Sequence, residues 1–262
     1  MIEVTQFADR RIDNRRNKLR PTYEDLNPNR KFVENLAIER IDSCEAIAAY
    51  CKKKGLKWTE NKDLIKNIYN DLQEQPFYKK YMESSARSFR EDAEFAANIF
   101  LNILEQNELL EKVLEDESIL WSDDLGYILT MAARTVSSMR ESQEQIKLMP
   151  KFKSDDDLDF AKTLLVKSLV QYDDNQELVD KYTQNWDVER VVFMDNLILS
   201  VAITELVVFD SIPVKVTLDE WIDIAKYYSS PSSSTFVNGV LDKIVAEFKE
   251  SGRINKSGRG LL

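Results

Sequence analysis

Apolar residues recur every three to four positions along most of this chain, and this α-helical period constrains the fold more than any other feature. The pattern is clear in residues 158–169 and in residues 237–248. No stretch alternates with a period of two for long, and 262 residues contain only six glycines and six prolines to interrupt helices. We therefore predict an all-α protein, a multi-helix bundle of about ten helices.

The chain contains no histidine, and this absence excludes several classes of enzyme. A Ser-His-Asp or Cys-His nucleophile cannot form, and neither can an imidazole general base or a metal site that needs histidine. None of the six glycines belongs to a G-x-G-x-x-G or G-x-x-x-x-G-K-[ST] motif, which nucleotide-binding loops require. We predict a protein that is not an enzyme, with no catalytic residues, no cofactor and no metal site.

The formal net charge of −10 is distributed unevenly along the chain. Residues 83–124 carry twelve acidic and three basic side chains, whereas residues 1–20 carry six basic and three acidic ones. A negative overall field repels phosphates, so a nucleic-acid contact has to be local or supplied by a basic partner. The sequence has neither a membrane-spanning apolar stretch nor a signal-peptide pattern, and we expect a cytoplasmic protein with no membrane partner.

The basic segment at residues 10–20, RRIDNRRNKLR, is a weak candidate for RNA binding. If the helix continues through it, Arg11, Arg15 and Lys18 share one face and form a stripe that could contact phosphates. The segment lacks neighbouring aromatic residues for base stacking, and Pro21 ends the helix soon afterwards. A solvated basic face without a binding role is the alternative interpretation.

Polar breaks suggest how the chain is divided. Residues 20–30 contain two prolines and several turn formers, which predicts an ordered loop between helices. A second break at residues 140–153 precedes Ser154 and three aspartates, a pattern typical of a helix N-terminus rather than a calcium loop. Thr217 and Glu220 have the spacing of a second capping box. We predict a helical N-terminal region at 1–153, a helical core at 154–250 and a flexible tail at 251–262.

The C-terminal third carries several short motifs in a fixed order. They are WDVER at 186–190, Ile203 with Glu205 and Leu206, Ile212-Pro213 with Lys215-Val216, Glu220 with Ala225-Lys226, and FVNGVLDK at 236–243. In order and spacing these motifs resemble the bacterial transcription antitermination factor NusB family over residues 155–248. Residues 1–154 are similar to the long helical region of size variants of that family, above all EDLNPN at 24–29. The resemblance implies a NusB-like bundle with an enlarged helical N-terminal region.

The resemblance also implies a function in transcription. Members of the family bind a small-subunit ribosomal protein, NusE, and the pair holds boxA RNA of the ribosomal leader, so that RNA polymerase does not terminate prematurely. Carried over to this sequence, the partner surface comprises Asp195, Tyr228, Ser232 and Phe236. Aromatic residues at a loop can anchor a partner, and an acidic side chain can pair with a basic protein. An acidic residue is common at the position of Ser232, which predicts a weaker contact there, and ordinary packing is the alternative for all four residues.

The family usually begins with an arginine-rich amphipathic helix that carries much of the RNA contact, and this sequence does not contain it. We therefore expect an N-terminally truncated long variant of the family. The alternative is a protein-only helical scaffold that keeps the NusB-like core, has lost RNA binding and engages another basic protein through its acidic region. In-frame coding sequence upstream of Met1 would distinguish the two.

Overall fold

The computed structural model of the protein describes residues 1–143, 145–150, 152, 154–183, 193–254 and 256, with the backbone alone at Asp155. Within these residues the chain forms fourteen α-helices and one π-helical segment, and no β-strand. The prediction of an all-α fold is confirmed, although the helices outnumber the expected ten because several of them are short. None of the described helices has the length and apolar character that crossing a bilayer demands.

The chain separates into two compact units, residues 1–149 and residues 150–262. The boundaries predicted at 153/154 and 250/251 stay predictions. The helices of the first unit are α1 Ile2–Arg16, α2 Tyr23–Leu26, α3 Leu36–Asp42, α4 Glu45–Lys54, α5 Lys62–Glu74, α6 Pro76–Glu83, α7 Phe89–Ile99, α8 Glu108–Glu117 and α9 Trp121–Ser137. The π-helical segment, Phe100–Leu104, continues directly from α7.

Aromatic side chains from several helices form the centre of the first unit. Phe95 of α7 stacks on Tyr81 of α6 with ring centroids 3.8 Å apart, and it meets Phe32 edge-on at 5.9 Å. Phe95, Ile99 and Ile103 are all buried, as their helical spacing predicts. Such aromatic pairs bury large apolar areas, and we infer that they hold α6, α7 and the chain around Phe32 together.

The segment predicted to be a loop at 20–30 contains helix α2. Thr22 and Asp25 form a capping box, in which the Asp25 N–H donates to Thr22 Oγ1 at 3.2 Å and the Thr22 N–H donates to Asp25 at 3.1 Å. These bonds satisfy amide groups that the first turn leaves without partners. The prediction of an ordered loop is therefore wrong over Tyr23–Leu26, where the cap starts a short helix.

The buried side chain of Lys31 connects the chain after α2 to the helices around it. Its Nζ donates to the Glu91 carboxylate at 2.9 Å and to the Ser84 carbonyl at 3.0 Å, and it lies 4.4 Å from the centre of the Tyr81 ring. The Tyr81 hydroxyl in turn donates to Asp92 at 2.7 Å. A buried ammonium is tolerated where its charge and its hydrogens are matched in this way.

The second unit contains the helices α10 Asp155–Val170, α11 Tyr172–Thr183, α12 Phe193–Val208, α13 Val214–Tyr228 and α14 Ser233–Glu250. Helix α12 packs against α10, α11, α13 and α14, and its face carrying Ile198, Leu199 and Ile203 is completely or almost completely buried. Asn175 of α11 donates to the Ser200 carbonyl of α12 at 3.0 Å. Helix α12 is thus the central helix of this unit.

Helix α13 begins earlier than the capping-box pattern predicted. Pro213, with φ −61°, precedes its first residue, Val214, so Thr217 lies inside the helix and is fully buried. The Thr217 hydroxyl has no hydrogen-bond partner among the described residues. The predicted box at Thr217 and Glu220 is therefore wrong, because proline fixes the backbone at the helix start in place of a side-chain cap.

Part of the tail that was predicted to be flexible is docked. Gly252 has φ +67°, which glycine adopts without strain, and the Arg253 N–H donates to the Phe248 carbonyl at 2.9 Å in the pattern of a Schellman motif. Ile254 then packs against the core, and Lys256 Nζ donates to the Phe209 carbonyl just past α12 at 2.9 Å. The remaining tail positions, 255 and 257–262, lie outside the described residues.

Candidate partner-binding surface

The end of α13, the loop that follows and the first turn of α14 form one edge of the second unit. This edge contains three of the four residues predicted to bind a partner. Ser232 is exposed, Tyr228 is half-buried, and Phe236 is only 8% exposed. Phe236 packs into the core of the unit, so its ring contributes to folding whether or not it also contacts a partner.

Asp195, the fourth predicted residue, reaches this edge from the first turn of α12. Its side chain is buried, with the residue 3% exposed, and both carboxylate oxygens accept hydrogen bonds from serines. Ser229 Oγ donates to Asp195 Oδ1 at 2.5 Å, and Ser233 Oγ donates to Asp195 Oδ2 at 2.9 Å. The carboxylate therefore faces the inner side of the loop.

The loop itself is held by further hydroxyl contacts. The Ser230 N–H donates to Ser233 Oγ at 3.1 Å, and the two hydroxyls of Ser230 and Ser233 lie 2.7 Å apart. Ser230 and Ser232 are also within hydrogen-bond distance, at 3.3 Å. Sequence reasoning did not identify Ser229 and Ser233 as part of this arrangement. An acidic residue entering from a distant helix gives no local signal.

Two contacts further along α12 hold this helix against its neighbours, one to α13 and one to α11. Trp221 Nε1 donates to the Glu205 carboxylate at 3.0 Å, and Glu205 is buried. On the other side of α12, Asn175 donates to Thr204 Oγ1 at 2.9 Å. These hydrogen bonds resist a shift of α12 against α11 or α13, since each buried polar group would then lose its partner.

The basic residues predicted to bind RNA lie in the first unit and are arranged differently from the expectation. Helix α1 ends at Arg16, so Lys18 lies beyond the helix, where it forms an ion pair with Asp25 at 3.2 Å. Arg11 lies over the rings of Phe7 and Tyr69, at 5.9 and 5.4 Å. Arg15 is exposed and forms no ion pair within the described part of the chain. The prediction that all three share one helix face is wrong for Lys18.

No arrangement in the described residues suits a metal ion, since no three Cys, Asp or Glu side chains come together to hold one. The WDVER motif at 186–190 lies outside the described residues. The edge formed by the end of α13, the loop and the first turn of α14 carries hydroxyl groups and aromatic rings around a hydrogen-bonded loop.

Comparison with known proteins identifies a family match in the same part of the chain. The model of the NusB family matches residues 128–246, a stretch that begins within α9 and ends in α14. This match begins upstream of residue 155, the first residue of the stretch predicted to resemble the family. No solved structure matches the chain.

Three relatives named "Transcription antitermination protein NusB" align with the chain. The protein of Salinibacter ruber is 44% identical over 104 residues, which are 40% of this chain and 65% of the relative. That of Chloroherpeton thalassium is 39% identical over 99 residues, 37% of this chain and 47% of the relative. That of Thermodesulfovibrio yellowstonii is 36% identical over 88 residues, 34% of this chain and 58% of the relative. The chain thus spans less than two thirds of each relative's length.

Proposed function

We propose that this chain is a transcription antitermination factor of the NusB family, because residues 128–246 match the model of that family and relatives with that name align with the same part of the chain. It works in the cytoplasm by presenting surfaces to partners and catalyses no reaction. Its protein partner is a basic small-subunit ribosomal protein, NusE, and the two together bind boxA RNA of the ribosomal leader. Through this complex it acts indirectly on the RNA polymerase elongation complex.

The observation that carries the proposal is the position of the loop between α13 and α14. Predicted partner residues from three separate elements converge there, with Tyr228 at the end of α13, Ser232 in the loop and Phe236 in α14. A half-buried aromatic side chain beside an exposed polar loop is typical of an interface anchor and its rim. The loop is also short and hydrogen-bonded, which lowers the entropy lost when a partner binds.

RNA binding is assigned to the complex rather than to this chain alone. Of the three candidate basic residues, Arg11 and Lys18 already contact other side chains of the first unit, and only Arg15 is left exposed without an ion pair among the described residues. Arg15 by itself neutralises few phosphates, and the net charge of −10 opposes binding to RNA. The basic ribosomal protein supplies the remaining phosphate contacts.

The same contacts favour the second candidate, a protein-only scaffold without RNA binding. In that case the ribosomal protein still binds the loop surface, and boxA RNA does not strengthen the complex. The acidic segment at residues 83–124 then engages a further basic protein by charge complementarity. The two candidate functions differ in one measurable quantity, which is the effect of boxA RNA on the dissociation constant for NusE.

Titration calorimetry with purified NusE, with and without boxA RNA, tests the proposal. We expect a dissociation constant in the micromolar range or below, and a lower dissociation constant when RNA is present. No heat of binding at tens of micromolar would refute the partner assignment. Binding that RNA leaves unchanged would favour the scaffold.

Two adjacent tyrosines offer a matched pair of variants for the surface itself. Tyr228→Ala removes the predicted anchor and should weaken binding of NusE by more than about 1 kcal/mol, whereas Tyr227→Ala removes an exposed neighbouring ring and should have a much smaller effect. Phe236→Leu keeps most of the core volume and tests the third position without unfolding the unit. Equal losses in both tyrosine variants would contradict the assignment of the anchor.

A further inference from the structure

The carboxylate of Asp195 is buried, and within the described part of the chain it has no basic partner. The side chains that contact it are those of Ser229 and Ser233, and no lysine or arginine forms an ion pair with it within the described residues. A buried charge is costly unless hydrogen bonds compensate for the lost water. Here two hydroxyl donors, together with the position of Asp195 in the first turn of α12, provide that compensation.

The directions of the hydrogen bonds follow from the chemistry of the groups. An ionised carboxylate only accepts, so Ser229 and Ser233 both spend their single hydroxyl hydrogen on Asp195. Ser233 Oγ still has lone pairs, and these accept the N–H and the hydroxyl of Ser230. A single carboxylate therefore fixes both ends of the loop, since Ser229 follows α13 and Ser233 opens α14.

This arrangement separates Asp195 from any partner. With 3% of the residue exposed and both oxygens occupied on the inner side of the loop, its charge lies behind the serines. Ser233 is even less exposed, at 1%, and cannot touch a bound protein without leaving its position. Whatever these two residues contribute to binding is transmitted through the shape of the loop.

Resting on the proposed function, we propose that Asp195, Ser229 and Ser233 form a positioning lock that sets the affinity for NusE without contacting it. The lock holds the loop in the conformation that NusE binds and presents Ser232 and Tyr228 to it. When one hydroxyl is removed, the loop populates other conformations, and the apparent dissociation constant rises in inverse proportion to the fraction that remains competent.

Surface plasmon resonance with immobilised NusE and the full chain tests the lock. Ser233→Ala should weaken the affinity at least about fivefold through slower association. The dissociation rate and the salt dependence of association should stay unchanged. Ser234→Ala is the matched control, because it makes the same change one residue further on without a hydrogen bond to Asp195. The double variant Asp195→Ala/Ser233→Ala should bind no more weakly than the poorer of the two single variants.

Direct contact by Asp195 predicts a different set of results. Asp195→Ala would then speed dissociation and flatten the salt dependence of association, while Ser233→Ala would bind as the wild type does. That outcome overturns the lock and leaves the proposed function intact. If the wild-type chain does not bind NusE at all, the proposed function fails, and the lock fails with it.

Circular dichroism melting separates positioning from a loss of folding. All binding is measured well below the melting temperature of each variant, where the variant is folded and a purely structural role leaves the association rate unchanged. If Ser233→Ala does not fold, Ser229→Ala replaces it, since Ser229 is only half-buried and donates one hydrogen bond to Asp195. An unchanged association rate in that variant also refutes the lock.

Discussion

Replacing Lys31 by methionine tests whether the buried ammonium stabilises the first unit or is merely tolerated there. Methionine has a similar length and no charge, so the change removes the charge and its hydrogen bonds with little loss of volume. The lost contacts are those to Glu91 at 2.9 Å and to the Ser84 carbonyl at 3.0 Å, together with the contact to the Tyr81 ring.

The expected effect follows from two opposing contributions. A hydrogen bond to a charged group stabilises by about 1.5–3 kcal/mol, and a desolvated cation over a ring adds up to about 2 kcal/mol. Against this, methionine removes the cost of burying an ammonium, and the side chain of Glu91, 26% exposed, regains some water. We expect a net loss of about 2 kcal/mol, which lowers the melting temperature of a unit of this size by about 4–8 °C.

Glu91 makes the effect dependent on pH. Burial alone would raise its pKa, but hydrogen bonds from Ser84 and Lys31 outweigh that effect and hold the pKa below the ordinary value of 4.5. A lowered pKa in the folded state means that the pair stabilises fully above pH 4.5 and loses its contribution as the pH falls through the folded value. The difference between wild type and Lys31→Met should therefore shrink as the solution is acidified below that pH.

Urea unfolding at pH 7 and at a series of acidic pH values measures both effects. The control is Lys79→Met, because Lys79 lies 3.9 Å from Glu74 in an exposed pair and its loss should change stability by less than about 0.5 kcal/mol. A Lys31→Met variant as stable as the wild type at pH 7 would refute the reasoning, since it would mean that the cost of burying the charge equals everything its contacts return.

Three further substitutions test the second unit. Thr217→Val replaces a buried hydroxyl that has no partner among the described residues and should stabilise the protein by about 1 kcal/mol; a lower melting temperature would contradict this. Asn175→Ala removes the hydrogen bonds that its amide donates to α12 and should cost about 2 kcal/mol in urea unfolding. Lys256→Ala removes one of the two donors to the Phe209 carbonyl, which also accepts from the Ile212 N–H, and releases the tail from this point, so amide hydrogen exchange at Ile254 should quicken, whereas the exposed Lys249→Ala should leave it unchanged.

Much of the fold could be predicted from the sequence because helix formation is governed by neighbours within one or two turns. Residues 95, 99 and 103 repeat at intervals of four and are buried on one face. Even so, local reasoning misplaced some helix ends. Thr217 had the spacing of a cap, but Pro213 starts the helix earlier, and Lys18 lies past the point where α1 stops. Helix ends depend on single capping contacts, which periodicity does not report.

The site residues were predicted from the resemblance of the sequence to a family, whereas only the structure shows what surrounds them. In the sequence alone, Asp195 is an acidic residue whose charge suits a basic partner. The folded chain places it beside serines 34 and 38 residues away, where it accepts two hydrogen bonds and is buried. The acidic character of a residue is a property of the sequence, whereas its access to a partner is a property of the packing.

Three properties of this protein follow from its amino-acid sequence alone: it is helical, it lacks the groups for histidine-dependent catalysis, and its C-terminal third carries motifs that resemble those of a family. All of these depend on residue identity and short-range spacing. The tertiary structure decided which polar side chains are buried, such as Lys31, Asn175 and Asp195. The reason is physical: burial of a polar group is acceptable only where distant parts of the chain supply its hydrogen bonds, and that supply exists only after the helices have packed.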